Sequence, residues 1–245
     1  MIGHWHTAPR LRSHLFDTNQ YPDTMKTGMP SESIARDVEI QSGERTLRGI
    51  LSVPAGAAAV VLFAHGSGSG RLSTRNTLVA RALNDAALAT LLVDLLTEEE
   101  EHADARTGHL RFDIDLLSNR VLAATDWLKG VPETASLRIG YFGASTGAAA
   151  ALQAAAQRPE SIYAVVSRGG RPDLAMQWLD SVKAPTLLIV GSNDEPVIPL
   201  NESAYDALHC EREMVIVPGA SHLFEERGKI EEVARLAANW FSTAR

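Results

Sequence analysis

Six short, almost uninterrupted apolar runs alternate with helix-like stretches through most of this 245-residue chain. A strand that is buried on both faces of a parallel sheet has this composition, and an intervening helix returns the chain to begin the next parallel strand. The alternation therefore predicts an open α/β sheet flanked by helices. The predicted parallel strands span residues 59–64, 90–94, 137–142, 162–167, 186–190 and 213–217.

Two further strands precede this series and bring the predicted sheet to eight strands. Residues 34–40 and 46–53 are separated by a short turn that contains Gly43, which predicts an antiparallel hairpin. Residues 34–245 are thus expected to form one domain, and the polar residues 1–33 a loosely ordered extension without chemistry. Apolar residues at three- and four-residue spacing predict helices over residues 74–87, 113–128, 146–157, 172–179, 201–210 and 229–241.

Charge and cysteine content argue against several classes of function. A formal net charge of -7 disfavours nucleic acid and anionic membranes as partners. Cys210 is the only cysteine, so neither a disulfide framework nor a thiolate metal cluster is expected. The N-terminus lacks the apolar core of a secretion signal, and no apolar run approaches the roughly 18 to 20 residues that span a bilayer. We therefore expect a soluble cytoplasmic protein that needs no metal and no cofactor.

Residues 143–147, Gly-Ala-Ser-Thr-Gly, follow a predicted strand and begin an alanine-rich helix. The pattern G-x-S-x-G in this context presents a serine hydroxyl on a sharp turn. A hydroxyl is a weak nucleophile until a base takes its proton, so the turn must leave it accessible to one. The motif predicts that Ser145 is a nucleophile. The alternative is an ordinary helix N-cap, a position that serine favours.

The predicted partners of Ser145 follow later strands of the sheet. Ligands of open α/β sheets bind at the carboxyl ends of the strands. Asp194 follows the strand at 186–190, and His222 follows the strand at 213–217. The chain order serine, acid, histidine is one of those in which catalytic triads occur. Glu195 and Asp173 are the alternative acids.

A glycine-rich loop, HGSGSG at residues 65–70, follows the first parallel strand. The backbone N–H groups of Ser67 and Thr146 are predicted to form an oxyanion hole. His65 is expected to support this loop through a hydrogen bond, which leaves His222 as the base. The remaining histidines lie in the polar extension, in the acidic segment or at a helix end: His4, His6, His14, His102, His109 and His209.

With the motifs HGSGSG, GASTG, GSNDEPV and GASH, residues 38–241 resemble the α/β-hydrolase superfamily, and within it the small, cap-less dienelactone-hydrolase-like branch. The resemblance implies an α/β-hydrolase fold: an eight-stranded, mostly parallel twisted sheet without an inserted cap domain. It also implies the triad Ser145, Asp194 and His222. Dienelactone hydrolases proper use a cysteine nucleophile, so dienelactone is not the expected substrate here. The stretch SRGGRPDLA also resembles a hydrolase domain that is fused to phosphoribosyltransferases in bacteria.

Three arginines near the strand ends have two interpretations. Arg71, Arg168 and Arg171 are candidates to bind a substrate carboxylate through bidentate hydrogen bonds. The alternative is that they form ion pairs with nearby carboxylates. The segment at 96–111 is the longest connection without a clear period, and we predict a partial lid there. Its run Glu98–Glu101 is interpreted as a solvated loop.

The sequence thus predicts a serine hydrolase that cleaves small or medium carboxylic esters through an acyl-serine intermediate. An acyltransferase, or a thioesterase or amidase on the same triad, is the first alternative. A non-catalytic binding module on a hydrolase fold is the second, because fold alone does not fix function. The natural ester and the oligomeric state are not determined by the sequence.

Overall fold

The structure, a computed structural model, describes residues 34–244, so the predicted extension at 1–33 lies outside the described part of the chain. Eight strands form one sheet in that part: β1 (Ile34–Ser42), β2 (Arg45–Val53), β3 (Ala59–Ala64), β4 (Ala89–Val93), β5 (Arg138–Ala144), β6 (Ile162–Arg168), β7 (Thr186–Gly191) and β8 (Arg212–Val217).

The sheet order is β1-β2-β4-β3-β5-β6-β7-β8. β1 pairs antiparallel with β2, and β2 pairs antiparallel with β4. Every other neighbouring pair is parallel. The predicted eight-stranded, mostly parallel sheet is therefore confirmed, and its parallel strands place their carboxyl ends along one edge.

Helices cover both faces of the sheet, which explains why its central strands are apolar without alternation. The six α-helices are α1 (Thr74–Asp85), α2 (Glu98–Thr107), α3 (Ile114–Gly130), α4 (Thr146–Gln157), α5 (Ile198–Ala207) and α6 (Lys229–Thr243). Along β3, Val60 and Leu62 pack into the core that α3 and α4 share, whereas Val61 and Phe63 pack into the core under α1 and α6. All six residues of β3 are buried.

Helix α4 follows Ser145 directly and is almost completely buried. Every residue from Thr146 to Ala156 is buried, and most of them are alanine. α4 packs against α3, β5 and the 3-10 segment Pro172–Ser181. Small side chains allow this close packing on several sides at once, since a larger residue would force its neighbours apart.

The interpretation of the run Glu98–Glu101 as a solvated loop is wrong, because these residues belong to the helix α2. Thr97 caps α2: its hydroxyl accepts from the Glu100 N–H at 3.3 Å, while the Glu100 carboxylate accepts from the Thr97 N–H at 2.8 Å. The acidic run Glu98–Glu101 forms the first turn, where negative charge stabilises the positive end of the helix dipole. Few apolar residues face the core here, so hydrophobic spacing does not reveal the helix.

Ion pairs hold the first turn of α2 against two other elements. Arg45 of β2 donates to Glu99 at 3.1 Å, and Arg120 of α3 donates to Glu100 at 2.8 Å. Arg120 is buried, whereas the Arg45–Glu99 pair is exposed and contributes little. These contacts attach the N-terminal end of α2 to β2 and α3.

The connection between β6 and β7 holds no cap domain. An α-helix is predicted for residues 172–179 of this connection, and that prediction is wrong. The structure has a 3-10 segment at Pro172–Ser181, which is interrupted by non-helical dihedral angles at Ala175. α5 begins at Ile198, three residues before the predicted start, because Pro199 suits the first turn of a helix. No helix in residues 34–244 is long and apolar enough to cross a membrane.

Candidate active site

Ser145 lies at the turn between β5 and α4 with a left-handed backbone, φ 50° and ψ -123°. Such angles are strained for a residue with a Cβ and are typical of a nucleophile presented on a sharp turn. A Cβ at Gly147 would lie 2.2 Å from the Ala64 carbonyl oxygen, so only glycine permits this approach to β3. The Ser145 side chain makes no capping hydrogen bond to α4. Ser145 therefore occupies the N-cap position of α4 without capping the helix through its hydroxyl.

Asp194 and His222 are hydrogen-bonded at the same edge of the sheet. Asp194 Oδ2 lies 2.7 Å from His222 Nδ1. Asp194 is 8% exposed, and His222 is half-buried. Burial strengthens the hydrogen bond and fixes the imidazole so that Nε2 is left for another partner.

The competing acids do not occupy this position. Asp173 accepts two hydrogen bonds from Arg171, at 2.9 and 2.8 Å, and Glu195 is exposed. Of the three candidate acids, the structure brings only Asp194 to His222.

Hydrogen bonds join the loops that carry Asp194 and His222. The Asn193 N–H donates to the Ala220 carbonyl at 2.9 Å, and the Ser192 hydroxyl accepts from the Gly219 N–H at 2.7 Å. The loop after β6 also lies close to the His222 loop. A Cβ added at Gly169 would be 3.6 Å from His222 Nδ1. That loop also contacts the serine, since the Arg171 N–H donates to the Ser145 carbonyl at 3.1 Å.

His65 supports the glycine-rich loop, as the sequence predicts. Its Nε2 accepts from the Leu95 N–H at 2.8 Å, which leaves Nδ1 to donate to the Gly66 carbonyl at 2.9 Å. This arrangement requires a neutral ring. Burial lowers the pKa of His65, so the neutral form is favoured.

The predicted oxyanion donors lie next to each other. Ser67 Oγ and Thr146 Oγ1 are 3.4 Å apart. Within residues 34–244, neither the Ser67 N–H nor the Thr146 N–H donates to a backbone carbonyl. Thr146 begins α4, where the first N–H groups have no partner inside the helix. Both groups are therefore available to an external oxygen atom.

A cavity of about 550 Å³ extends from these two residues to α2. Arg71 and Asp94 line this cavity, and Asp94 accepts from both the Arg71 N–H, at 2.6 Å, and the Arg71 guanidinium. Glu101 and Asp104 of α2 also line it, and Asp104 accepts from Arg111 Nε at 2.5 Å. The segment predicted to be a lid thus contributes a wall of this cavity.

The three candidate arginines lie in different environments. Arg71 and Arg171 form ion pairs with Asp94 and Asp173, which is the second interpretation of their role. Arg168 is 6% exposed; it donates to the Leu223 carbonyl at 3.5 Å and lies 5.9 Å from the Phe224 ring centroid. Burial, together with the nearby charge of Arg75, lowers the pKa of Arg168 to about 10. Of the three, only Arg71 lines the cavity.

The sequence profile of the Dienelactone hydrolase family matches residues 47–244. The chain belongs to the dienelactone hydrolase family. A crystal structure of a dienelactone hydrolase from Anabaena variabilis is 58% identical, with a TM-score of 0.85, over 86% of this chain and 98% of that one.

More distant and longer relatives add less to this assignment. An esterase from Pyrococcus furiosus has a TM-score of 0.69 at 19% identity, over 92% of this chain and 99% of that one, and shows the fold alone. A Mycobacterium tuberculosis protein whose name proposes a phosphoribosyl transferase is 53% identical over 84% of this chain. The chain spans only 46% of that relative's length.

This dienelactone hydrolase family member has its single cysteine far from Ser145 in the fold. Cys210 precedes β8 and therefore lies at the amino ends of the parallel strands, whereas Ser145 lies at the carboxyl ends. Cys210 is half-buried 3.8 Å from the Thr186 hydroxyl, and burial raises the pKa of its thiol. The thiol is not placed to act at the Ser145 turn. Within residues 34–244, no cluster of three potential metal-ligating side chains occurs.

Glu226 stabilises the loop that carries His222 in this family member, a role that the sequence does not predict. Both carboxylate oxygens of Glu226 lie 3.1 Å from the Ser221 N–H, directly before His222. Hydrogen bonds from Ser221 lower the pKa of Glu226. No local pattern identifies this role, because the contact depends on how the loop after β8 turns back on itself.

Proposed function

We propose that this chain is a serine hydrolase that cleaves small or medium carboxylic esters through an acyl-serine intermediate. The observation that carries the proposal is the Asp194–His222 hydrogen bond, formed at the same sheet edge as a serine whose hydroxyl does not cap its helix. A binding module has no need of a strained serine at the sheet edge where a carboxylate orients an imidazole. The intact arrangement therefore favours catalysis over the binding alternative.

The first step is attack by Ser145 Oγ on the ester carbonyl. His222 Nε2 takes the hydroxyl proton, while Asp194 holds Nδ1 and stabilises the imidazolium that forms. The Ser67 and Thr146 N–H groups stabilise the oxyanion of the tetrahedral intermediate. His222 then gives the proton to the leaving alkoxide, and the acyl group remains on Ser145.

Deacylation repeats these roles with water as the nucleophile. His222 takes a proton from water as the water oxygen attacks the acyl carbonyl, and it returns that proton to Ser145 Oγ when the carboxylic acid leaves. The same two N–H groups stabilise the second oxyanion. No metal or cofactor takes part in the proposed sequence.

The cavity supports small or medium polar esters as substrates. Its volume of about 550 Å³ falls within the range of small-molecule sites, and ion pairs rather than a long apolar tunnel line it. Long acyl chains would leave apolar surface exposed to water in such a cavity.

A fluorophosphonate probe tests the nucleophile directly. We expect covalent labelling of Ser145 in the wild-type protein and none in Ser145→Ala, because an activated serine attacks phosphorus as it attacks a carbonyl. p-Nitrophenyl esters of graded acyl length, assayed with both proteins, should show activity that depends on Ser145. Competing alcohols in the same assay separate hydrolysis from acyl transfer through the products. An unlabelled wild-type protein without esterase activity would contradict the proposal.

A further inference from the structure

Every arginine in the cavity wall is already neutralised. Arg71 is paired with Asp94, Arg111 with Asp104, and Arg75 with Glu225, which lies outside the cavity lining. Binding a substrate carboxylate at one of these arginines would require it to give up or share its partner. The cavity therefore offers no free positive charge among its described residues.

Glu101 is the one charged side chain of this wall without an ion-pair or hydrogen-bond partner in the described part of the chain. It projects from the first turn of α2 into the cavity that begins at Ser67 and Thr146, and it also lines a neighbouring cavity with Arg71 and Asp94. An unpaired carboxylate in the lining of this cavity acts on any charge that a bound substrate carries.

Charged groups of both signs act on the Glu101 carboxylate. Partial burial raises the pKa of Glu101, as do the charges of Asp94 and Glu98, whereas His102 and Arg71 lower it. A positive group bound beside Glu101 would be attracted by its unpaired carboxylate, whereas a negative group would be repelled.

We propose that Glu101 determines specificity at this site by selecting esters that carry a cationic group, such as a quaternary or primary ammonium, over neutral and anionic esters of the same shape. The inference rests on the proposed serine esterase function and names its substrate class. Glu101 contacts the substrate away from the scissile bond, so it changes KM more than kcat.

Esters of matched shape and different charge test whether Glu101 selects for a positive group. Butyrylcholine and 3,3-dimethylbutyl butyrate have nearly the same shape and differ by one positive charge, and an analogue with a carboxylate at that position completes the series. We expect kcat/KM to be about fivefold higher for the cationic ester than for the neutral one, the upper range for a partly exposed charge pair. The anionic ester should be the poorest substrate, and added salt should reduce the differences.

The variant Glu101→Gln keeps the size and helix propensity of the side chain and removes its charge. We expect the cationic-to-neutral ratio to fall to about one, mainly through a higher KM for the cationic ester. Glu99→Gln is the matched control, because Glu99 is on the same turn of α2 but pairs with Arg45 outside this cavity. It should keep the wild-type ratio.

The outcomes separate this inference from the proposed function. If Ser145 is labelled and the neutral ester is hydrolysed, but the ratio is near one or survives in Glu101→Gln, only the selection by Glu101 is overturned. A preference for the anionic ester that is lost in Arg71→Ala would overturn it in favour of the arginine hypothesis. If Ser145 is not labelled and no ester is cleaved, the proposed function fails and the inference fails with it.

Discussion

At the scale of single residues, the proposed chemistry depends on which nitrogen of His222 carries the proton. Asp194 Oδ2, 2.7 Å from Nδ1, selects the tautomer in which Nε2 is free to accept a proton. An amide at this position can present an N–H to Nδ1 and so favours the opposite tautomer. The carboxylate therefore matters through orientation and through its charge beside the imidazolium.

We expect Asp194→Asn to lower kcat by about 10² to 10⁴-fold while leaving the fold intact, because the histidine tautomer is then wrong. Steady-state hydrolysis of p-nitrophenyl butyrate, with circular dichroism as the check on folding, measures this. Glu195→Gln is the neighbouring control and should keep wild-type activity. Near-full activity of Asp194→Asn together with a loss in Glu195→Gln would assign the acid to Glu195.

At the scale of secondary-structure elements, the strands and the nucleophile turn are predictable, whereas α2 is not. The parallel strands can be recognised in the sequence as apolar runs, because both of their faces are buried. The turn at Ser145 is specified locally by its small neighbours and the following alanines. α2 buries mainly Asp104, so its stability comes from a cap and from ion pairs rather than from an apolar stripe. Periodicity cannot detect such a helix.

Asp104 anchors the C-terminal end of α2 to the segment that follows. Its Oδ1 accepts from the Leu110 N–H at 2.7 Å, and its Oδ2 accepts from Arg111 Nε at 2.5 Å. Burial alone would raise the pKa of Asp104, but hydrogen bonds from Arg111 and from two backbone N–H groups lower it. The ionised carboxylate is thus part of the folded structure.

We expect Asp104→Asn to lower the free energy of unfolding by about 1 to 3 kcal/mol, the range for hydrogen bonds to charged groups. KM should rise more than kcat falls, since the cavity lining becomes less rigid while the proposed catalytic residues are unchanged. Urea unfolding and ester kinetics measure the two effects. Asp126→Asn, which removes a partner of an exposed ion pair with Arg158, is the control and should change neither. Equal losses in both variants would rule out a specific anchor.

At the scale of the whole molecule, the topology brings residues from separate parts of the sequence to one sheet edge. The chain order of Ser145, Asp194 and His222 predicts the triad, because each follows a different parallel strand. The side chains that neutralise the arginines could not be assigned in advance. Arg71 meets Asp94 only because β3 and β4 are neighbours, and the sequence does not say which loops turn toward each other.

The buried His65 makes the stability of the whole molecule sensitive to mild acid. In the unfolded chain this histidine takes a proton as the pH falls through about 6.5, whereas burial lowers the pKa of the folded form. The unfolded state then binds more protons. The free energy of unfolding therefore has its full value above about pH 6.5 and falls below it, by at most about 1.4 kcal/mol per pH unit for one group.

Unfolding by urea across this pH range measures the effect, and His65→Gln removes the titrating group. We expect a shallower loss of stability with falling pH in His65→Gln than in the wild type. His109→Gln is the control, because His109 is exposed and should leave the slope unchanged. A wild-type slope that persists in His65→Gln would assign the acid sensitivity to other groups.

The stabilisation of α2 at both of its ends has a consequence for how substrate preference can evolve. The helix begins with its own cap at Thr97 and ends at Gly108 in a left-handed conformation, so both of its ends are defined within a short stretch of sequence. None of the proposed catalytic residues belongs to it. Mutations in α2 can change the lining of the cavity without changing the proposed catalytic residues. The condition is that the Leu95 N–H, just before the helix, still donates to His65 Nε2. Homologues with the same reaction and different substrates should therefore diverge most between residues 97 and 108.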